Sequence, residues 1–246
     1  VKHIARIAEQ FTMSLEETPP GADPWYIDWA IKNPRRISDS VTAGWYAYRS
    51  LLSVYEPGEI RSCWEPFGGI GAQSLIIRHT FPHLDPHVVG EYTQLASQHL
   101  RRVLPPEVSV QLQDVYADNV DKPADLVGLD FGDLTCWKTR EGQPHRALLD
   151  RVFARRPKAV VLTDVAGPRL GLHRARYEAL LGTGTCATYA TYLPALADLL
   201  EELFEYVVIA GFYHHGAGKM AMVPRDAGDR GVFVPVPPSP VGLEIF

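Results

Sequence analysis

The sequence predicts an α/β chain, with a doubly wound, seven-stranded, mostly parallel sheet that ends in a C-terminal antiparallel hairpin. Three observations predict it. Short apolar runs alternate with helix-like segments from residue 61 to residue 213, the pattern of a parallel sheet covered on both faces. A glycine turn, Glu65-Pro66-Phe67-Gly68-Gly69-Ile70-Gly71, follows the first run. Only His214 to Lys219 separates the last two runs, too short a link for a parallel crossover, so they pair as a hairpin.

The elements follow in order. Residues 61–67 read as a short apolar strand ending at the glycines, and 71–80 as a helix. His87 to Tyr92 is a strand centred on Val88 and Val89. Residues 93–103 are helical, with Leu95, Leu100 and Val103 as apolar positions. Val108 to Asp114 alternates like a strand, and Ala124 to Phe131 is an apolar strand ending in acids. Residues 144–155 form a helix and Ala159 to Val165 a strand. Leu193 to Phe204 is an amphipathic helix carrying Leu193, Leu196, Leu199, Leu200 and Leu203. Tyr206 to Tyr213 and Met220 to Val223 are the hairpin strands. Before this domain, residues 1–57 hold an aromatic, partly helical extension with Trp25, Tyr26, Trp29, Trp45, Tyr46 and Tyr48, broken at Pro19-Pro20-Gly21 and Asn33-Pro34. The main domain spans 58–226. The tail, 227–246, holds Pro235, Pro237, Pro238 and Pro240 and is expected to run extended over the surface or a partner.

Composition narrows the class. The chain has 246 residues, 46% hydrophobic and 22% charged, which is ordinary for a globular protein. No apolar run reaches the roughly 20 residues a membrane helix needs, and the first residues lack a signal-peptide stretch, so a cytoplasmic protein without a membrane partner is expected. Cys63, Cys136 and Cys186 are sparse and unpaired in spacing, which argues against a disulfide framework and against a structural zinc site, and no metal is expected. The net charge of −5 gives no general field for nucleic acid. From Lys138 to Arg176, however, ten Lys/Arg stand against three acids, Glu141, Asp150 and Asp164. That stretch is suited to facing phosphate or to solvating helix faces.

Three acids at successive strand ends give the glycine turn its meaning. Glu65 precedes the turn, where a carboxylate suits a cationic amino-acid ligand and not a pyrophosphate. Glu91 ends the second strand, twenty residues beyond Gly71, and can accept both hydroxyls of a ribose. Asp114 ends the third strand and can accept from an adenine amino group, with Val115 and Tyr92 over the ring faces.

In these residues the chain resembles the class I S-adenosylmethionine-dependent methyltransferases, over about residues 61–223. The resemblance implies a Rossmann-like sheet and S-adenosyl-L-methionine as cofactor. It places Glu65, Gly68, Gly69 and Gly71 in the first motif, Glu91 at the ribose and Asp114 at the adenine; Phe67, Tyr92, Val115 and Asp130 are further candidate cofactor residues. The turn is closest to the Asp-Pro-Phe and Asp-Leu-Phe turns of nucleic-acid base methyltransferases.

The reacting end is read from Gly128-Leu129-Asp130-Phe131-Gly132-Asp133-Leu134-Thr135, since substrates of such sheets lie over the carboxyl ends of the strands. Asp130 and Asp133 are the candidate catalytic acids, able to hold an amino group or take a proton. Asp130 alternatively orients the donor's methionine moiety. Phe131 can stack on a planar substrate; Asp164, at the end of the fifth strand, can line the substrate side or equally cap a helix, and Arg169 beside it can contact an anion on the substrate. The segment lacks the Asp/Asn-Pro-Pro-Tyr/Phe of amino-methylating DNA enzymes and the Pro-Cys of cytosine-C5 enzymes. It is nearer to tRNA guanine-N2 dimethyltransferases, whose fourth strand ends Asp-Leu-Asp-Pro-Phe/Tyr-Gly, although the proline is missing. His214, His215 and Lys219 read as a turn at the edge of the site. Three functions compete: a methyltransferase acting on a DNA or RNA base; a small-molecule or protein methyltransferase with the N-terminal segment as lid; and a non-catalytic module of the same fold. A homo-oligomer is compatible with all three.

Overall fold

The computed structural model describes residues 34–116, 123–131, 145–164, 178–179, 181–185, 188–214 and 217–237, with the backbone alone for 34–40, 131, 145, 164, 189, 214 and 217. In chain order the elements are α1 (Pro34–Ser50), a 3-10 turn (Leu51–Ser53), β1 (Cys63–Glu65), α2 (Ala72–Thr80), β2 (His87–Glu91), α3 (Gln94–Val103), β3 (Val108–Leu112), β4 (Leu126–Phe131), α4 (His145–Ala154), β5 (Ala159–Asp164), α5 (Tyr189–Leu203), β6 (Tyr206–His214), β7 (Ala217–Pro224) and β8 (Val232–Pro235).

The strands form one sheet in the order β3-β2-β1-β4-β5-β7-β6-β8. Strands β1 to β5 pair in parallel. Strand β7 runs antiparallel to both β5 and β6, so the expected hairpin closes the sheet. The chain reverses its winding between β1 and β4, which opens a crevice beyond their carboxyl ends, the place where such sheets take ligands.

The sheet has eight strands, one more than the sequence predicts. The extra strand, β8, lies inside the segment expected to run extended over the surface or a partner, and pairs in parallel with β6, from Ala210↔Val232 to Tyr213↔Pro235. The prolines concealed it. Pro235 closes a strand on the outer edge, where a missing N–H breaks no inner ladder. Arg230 fastens this strand to α5, donating to Asp198 at 2.7 Å and Glu201 at 2.8 Å. Helix α5 also begins four residues before the expected Leu193. The Thr188 N–H donates to Thr191 Oγ1 at 3.2 Å, which satisfies a donor at its amino end.

Alternation along the strands divides the core in two. Cys63, Val89, Leu126, Val161, Ala221 and Val223 face α1, α2 and α3. Trp64, Val88, Val127, Leu129, Val160, Leu162 and Met222 face α4 and α5. Helix α1 belongs to the first layer, where Val41, Trp45, Tyr48 and Leu51 are buried with the sheet residues. Removing residues 1–50 would therefore expose this core as well as any lid, so truncation cannot isolate a lid function.

Gly68 shows how tightly the glycine turn sits on this layer. A methyl there would stand 2.5 Å from Leu100 Cδ1 and 2.6 Å from Val89 Cγ1. Gly68→Ala is expected to lower stability by about 1–3 kcal/mol through overpacking. The measurement is a lower urea midpoint at unchanged slope; an unchanged midpoint would mean that the turn is not seated on α3.

Candidate active site

The crevice is built first from backbone. Strand β1 ends at Glu65, and the chain turns through Pro66 to Gly71 into α2. Gly69 (φ 53°) and Gly71 (φ 84°) take left-handed conformations that suit glycine. The Gly68 N–H donates to the Gly90 carbonyl at 2.9 Å, and the Gly71 N–H to the Gly68 carbonyl at 3.0 Å. The first bond ties the turn to β2, and the second closes the turn on itself. Around Gly69 there is nothing within 4 Å of where a Cβ would lie, so this part of the backbone stands open to a ligand.

Glu91 stands beside that opening, at the end of β2. Its Oε2 accepts from the Gly69 N–H at 3.3 Å and its Oε1 from the Tyr92 N–H at 2.9 Å. Burial pushes its carboxyl above the ordinary carboxylate range, and the backbone N–H groups of Tyr92, Gly69 and Thr93 oppose that shift. Each oxygen keeps acceptor capacity for a hydroxyl. Gln113 packs its side chain against Gly90, and its buried Nε2 has no hydrogen-bond partner. An open glycine backbone, a held carboxylate and an unpaired amide donor fit a ribosyl ligand.

The other predicted cofactor residues are placed less simply. Phe67 is half-buried and pairs with Tyr116 at 5.9 Å between ring centroids. Tyr116 was not singled out from the sequence; a ring two residues beyond a strand-end acid is the only signal for it. Asp114 is exposed, and its Oδ1 accepts from the Tyr116 N–H at 2.9 Å, so it stabilises its own turn. Val115 is the residue expected over a face of the adenine ring. It is buried in the second core layer, and Arg151 of α4 donates to its carbonyl at 2.7 Å. Tyr92 is 69% exposed on the rim.

Glu65 is turned inward. Its Oε1 lies 2.6 Å from His87 Nε2, both side chains buried. The expectation that Glu65 meets a ligand's ammonium group thus acquires a competitor from β2. Cys63 completes the group, with thiol, carboxylate and imidazole atoms within 4.8 Å of one another. These are donor types that zinc accepts. However, the imidazole is already hydrogen-bonded to the carboxylate, and the Lys219 ammonium nearby works against a dication. Gly128 of β4 lies opposite: a Cβ there would be 2.8 Å from Tyr48 Oη and 3.2 Å from Glu65 Cγ. Burial, then the charges of Glu65, Cys63 and Asp130, hold the Tyr48 phenol well above its usual range. Burial, then Glu65, does the same to the Cys63 thiol.

Asp130, on the same strand as Gly128, is half-buried. It pairs in register with Thr163 of β5, which pairs with Lys219 of β7. Lys219 Nζ donates to Thr163 Oγ1 at 2.7 Å, and Gln73 Nε2, from the first turn of α2, donates to the same oxygen at 3.2 Å. Sequence reasoning placed Lys219 only at a turn edge; the structure buries it within the site. Phe131 ends β4 and Asp164 ends β5, paired with each other, and their side chains lie outside the described residues. Asp133, Arg169 and His215 lie outside them altogether, as does much of the basic stretch. A cavity of about 390 Å³, lined by Phe153, Phe204 and Tyr206 among others, lies by the start of β6, at the opposite end of the strands from the glycine turn.

No protein-family profile matches the chain, and no curated protein sequence matches it. Solved structures do. The plantazolicin methyltransferase BpumL, in complex with a monoazolic desmethyl-plantazolicin analogue and S-adenosylhomocysteine, aligns with a TM-score of 0.53 at 9% identity, over 91% of this chain and 98% of that one. PH1948 of Pyrococcus horikoshii, assigned provisionally to the RNA methyltransferases, aligns with a TM-score of 0.50 at 11% identity, over 88% and 98%. The chain has the fold of the class I S-adenosylmethionine-dependent methyltransferases. No helix among the described residues is long and apolar enough to cross a membrane.

Proposed function

From that fold we propose that the chain is an S-adenosylmethionine-dependent methyltransferase acting on a nucleic-acid base. The observation that carries the donor half is Glu91, held by the Gly69 and Tyr92 N–H groups beside an open glycine turn. When bound, the donor supplies a methyl group on a positively charged sulfur. The chain's own residues do the rest. Glu91 accepts the ribose hydroxyls, and the Gly68–Gly71 turn admits the donor close to the backbone. Glu65, whose Oε1 is taken by His87, has Oε2 left for the ammonium group of the amino-acid end. Asp130, at the end of β4, holds the acceptor's amino group and aligns its nitrogen with the methyl carbon; positioning of this kind supplies much of the rate of a displacement.

The base as acceptor is supported by the kinship of the glycine turn to base-methylating enzymes, by Asp130 at the strand end, and by the basic stretch 138–176. One observation favours a second reading, a small enclosed acceptor: α1 lays Tyr48 across Gly128 and Glu65, over one face of the crevice. Transfer of labelled methyl to DNA, RNA, nucleotides, small amines and total protein separates the two. Label recovered in a base supports the first reading. Label in no polymer, with turnover of a small amine, replaces it with the second.

A further inference from the structure

Lys219 is among the largest fully buried side chains, 1% exposed. A lysine is almost never so deeply buried without a partner of opposite charge. Burial pulls its ammonium below the usual lysine range, while Asp130 and Glu65 oppose that shift. Strand register explains its course. Asp130, Thr163 and Lys219 are successive register partners across β4, β5 and β7, so all three stand in one row on the face covered by α1 and α2. The Lys219 chain bends back along this row until Nζ reaches Thr163 Oγ1. Gly44 of α1 helps make room, since a Cβ there would be 3.6 Å from Lys219 Cε and 3.3 Å from Ile76 Cδ1. An ammonium carries three donors, and among the described residues only the Thr163 oxygen accepts from it. The next polar side chain along the row is the Asp130 carboxylate.

We propose that Lys219 is a positioning residue acting through Asp130: seated on Thr163, it draws the Asp130 carboxylate toward β7 and offsets its charge, and so sets how strongly the site prefers the cationic methyl donor to the neutral product. The proposal rests on the donor reading above. Its chemical sense lies in the reaction. The positive charge on sulfur disappears as the methyl group leaves, so a site that grips that charge too firmly stabilises the ground state over the transition state. Lys219 tempers the Asp130 carboxylate, which would otherwise do so.

The test is calorimetric binding of S-adenosylmethionine and S-adenosylhomocysteine to the wild type, Lys219→Met, Thr163→Val, Asp130→Asn and the Asp130→Asn/Lys219→Met double variant. Lys219→Met is expected to raise the donor-to-product affinity ratio about tenfold, by freeing the Asp130 carboxylate from the ammonium that offsets its charge. Thr163→Val moves the ratio the same way by less. In the Asp130→Asn background the effect of Lys219→Met falls below about threefold, because the group it acts through is gone. A purely structural lysine would change the melting temperature and leave the ratio alone. Ratios within about twofold of wild type in both Lys219→Met and Thr163→Val overturn the proposal, and so does an equal increase with and without Asp130. If Lys219→Met does not fold, Thr163→Val in the two Asp130 backgrounds decides. If the wild type binds neither ligand, the donor reading falls. Melting temperatures of the same proteins then decide for Lys219: non-additive shifts support its coupling to Asp130, and additive ones overturn it.

Discussion

Glu91→Ala is expected to weaken S-adenosylhomocysteine binding by about 100-fold or more. Two hydroxyls donating to one carboxylate make two charge-assisted hydrogen bonds, each worth roughly 1.5–3 kcal/mol, and about 1.4 kcal/mol is a factor of ten in affinity. The variant also leaves the Gly69 and Tyr92 N–H groups without the acceptor they now share. Titration calorimetry reads the loss, and a Kd within about threefold of wild type would remove Glu91 from the donor site. Acid sharpens the test. Burial raises the Glu91 carboxyl, so it takes up a proton at a higher pH than an ordinary carboxylate, and the protonated group is the poorer acceptor. Wild-type affinity should therefore fall as the pH is lowered, beginning above the usual carboxylate range. In Glu91→Gln, where nothing titrates at that position, this part of the fall should be missing.

Asp130→Asn is expected to reduce methyl transfer by about 10²–10⁴-fold, the range a positioned acid or base contributes, while S-adenosylhomocysteine binding stays within about threefold. The acceptor found in the labelled-methyl screen provides the assay. Asparagine keeps the shape and the hydrogen-bonding carbonyl, so the loss reports charge. Turnover at the wild-type rate would show that Asp130 does not act on the acceptor. Weak donor binding with a normal single-turnover rate would move it to the donor's methionine end.

Features that live within one strand and its following turn were readable in the sequence. The glycine turn and Glu91 belong to this class, because apolar runs of strand length end at polar groups that must lie on the sheet's upper rim. The hairpin was readable from the length of its link alone. Features set by register were not. Lys219 lies in Gly216-Ala217-Gly218-Lys219-Met220, which looks like a turn followed by a strand. Only the pairing of Thr163 with both Asp130 and Lys219 brings the ammonium into the site. The inward turn of Glu65 depends likewise on His87, which pairs with Cys63 across the first ladder. Asp114 fits its expected strand end, but its side chain is spent on its own turn. Val115 falls on the face opposite Val108 and Val110, as alternation requires, and packs in the second core layer.

Strand β8 has a consequence for how the molecule can be handled. It runs parallel to β6, and β6 is antiparallel to β7, which is antiparallel to β5. The last strand therefore points the same way as β1 to β5, and the chain leaves it at the rim where Glu91 and Asp130 stand. The carboxyl rim on this side of the sheet is therefore completed by β8. A shortened chain that stops before Val232 would strip β6 of its partner from Ala210 to Tyr213 and leave a bare strand edge, a template for pairing between molecules. A boundary chosen for expression should lie beyond Pro235.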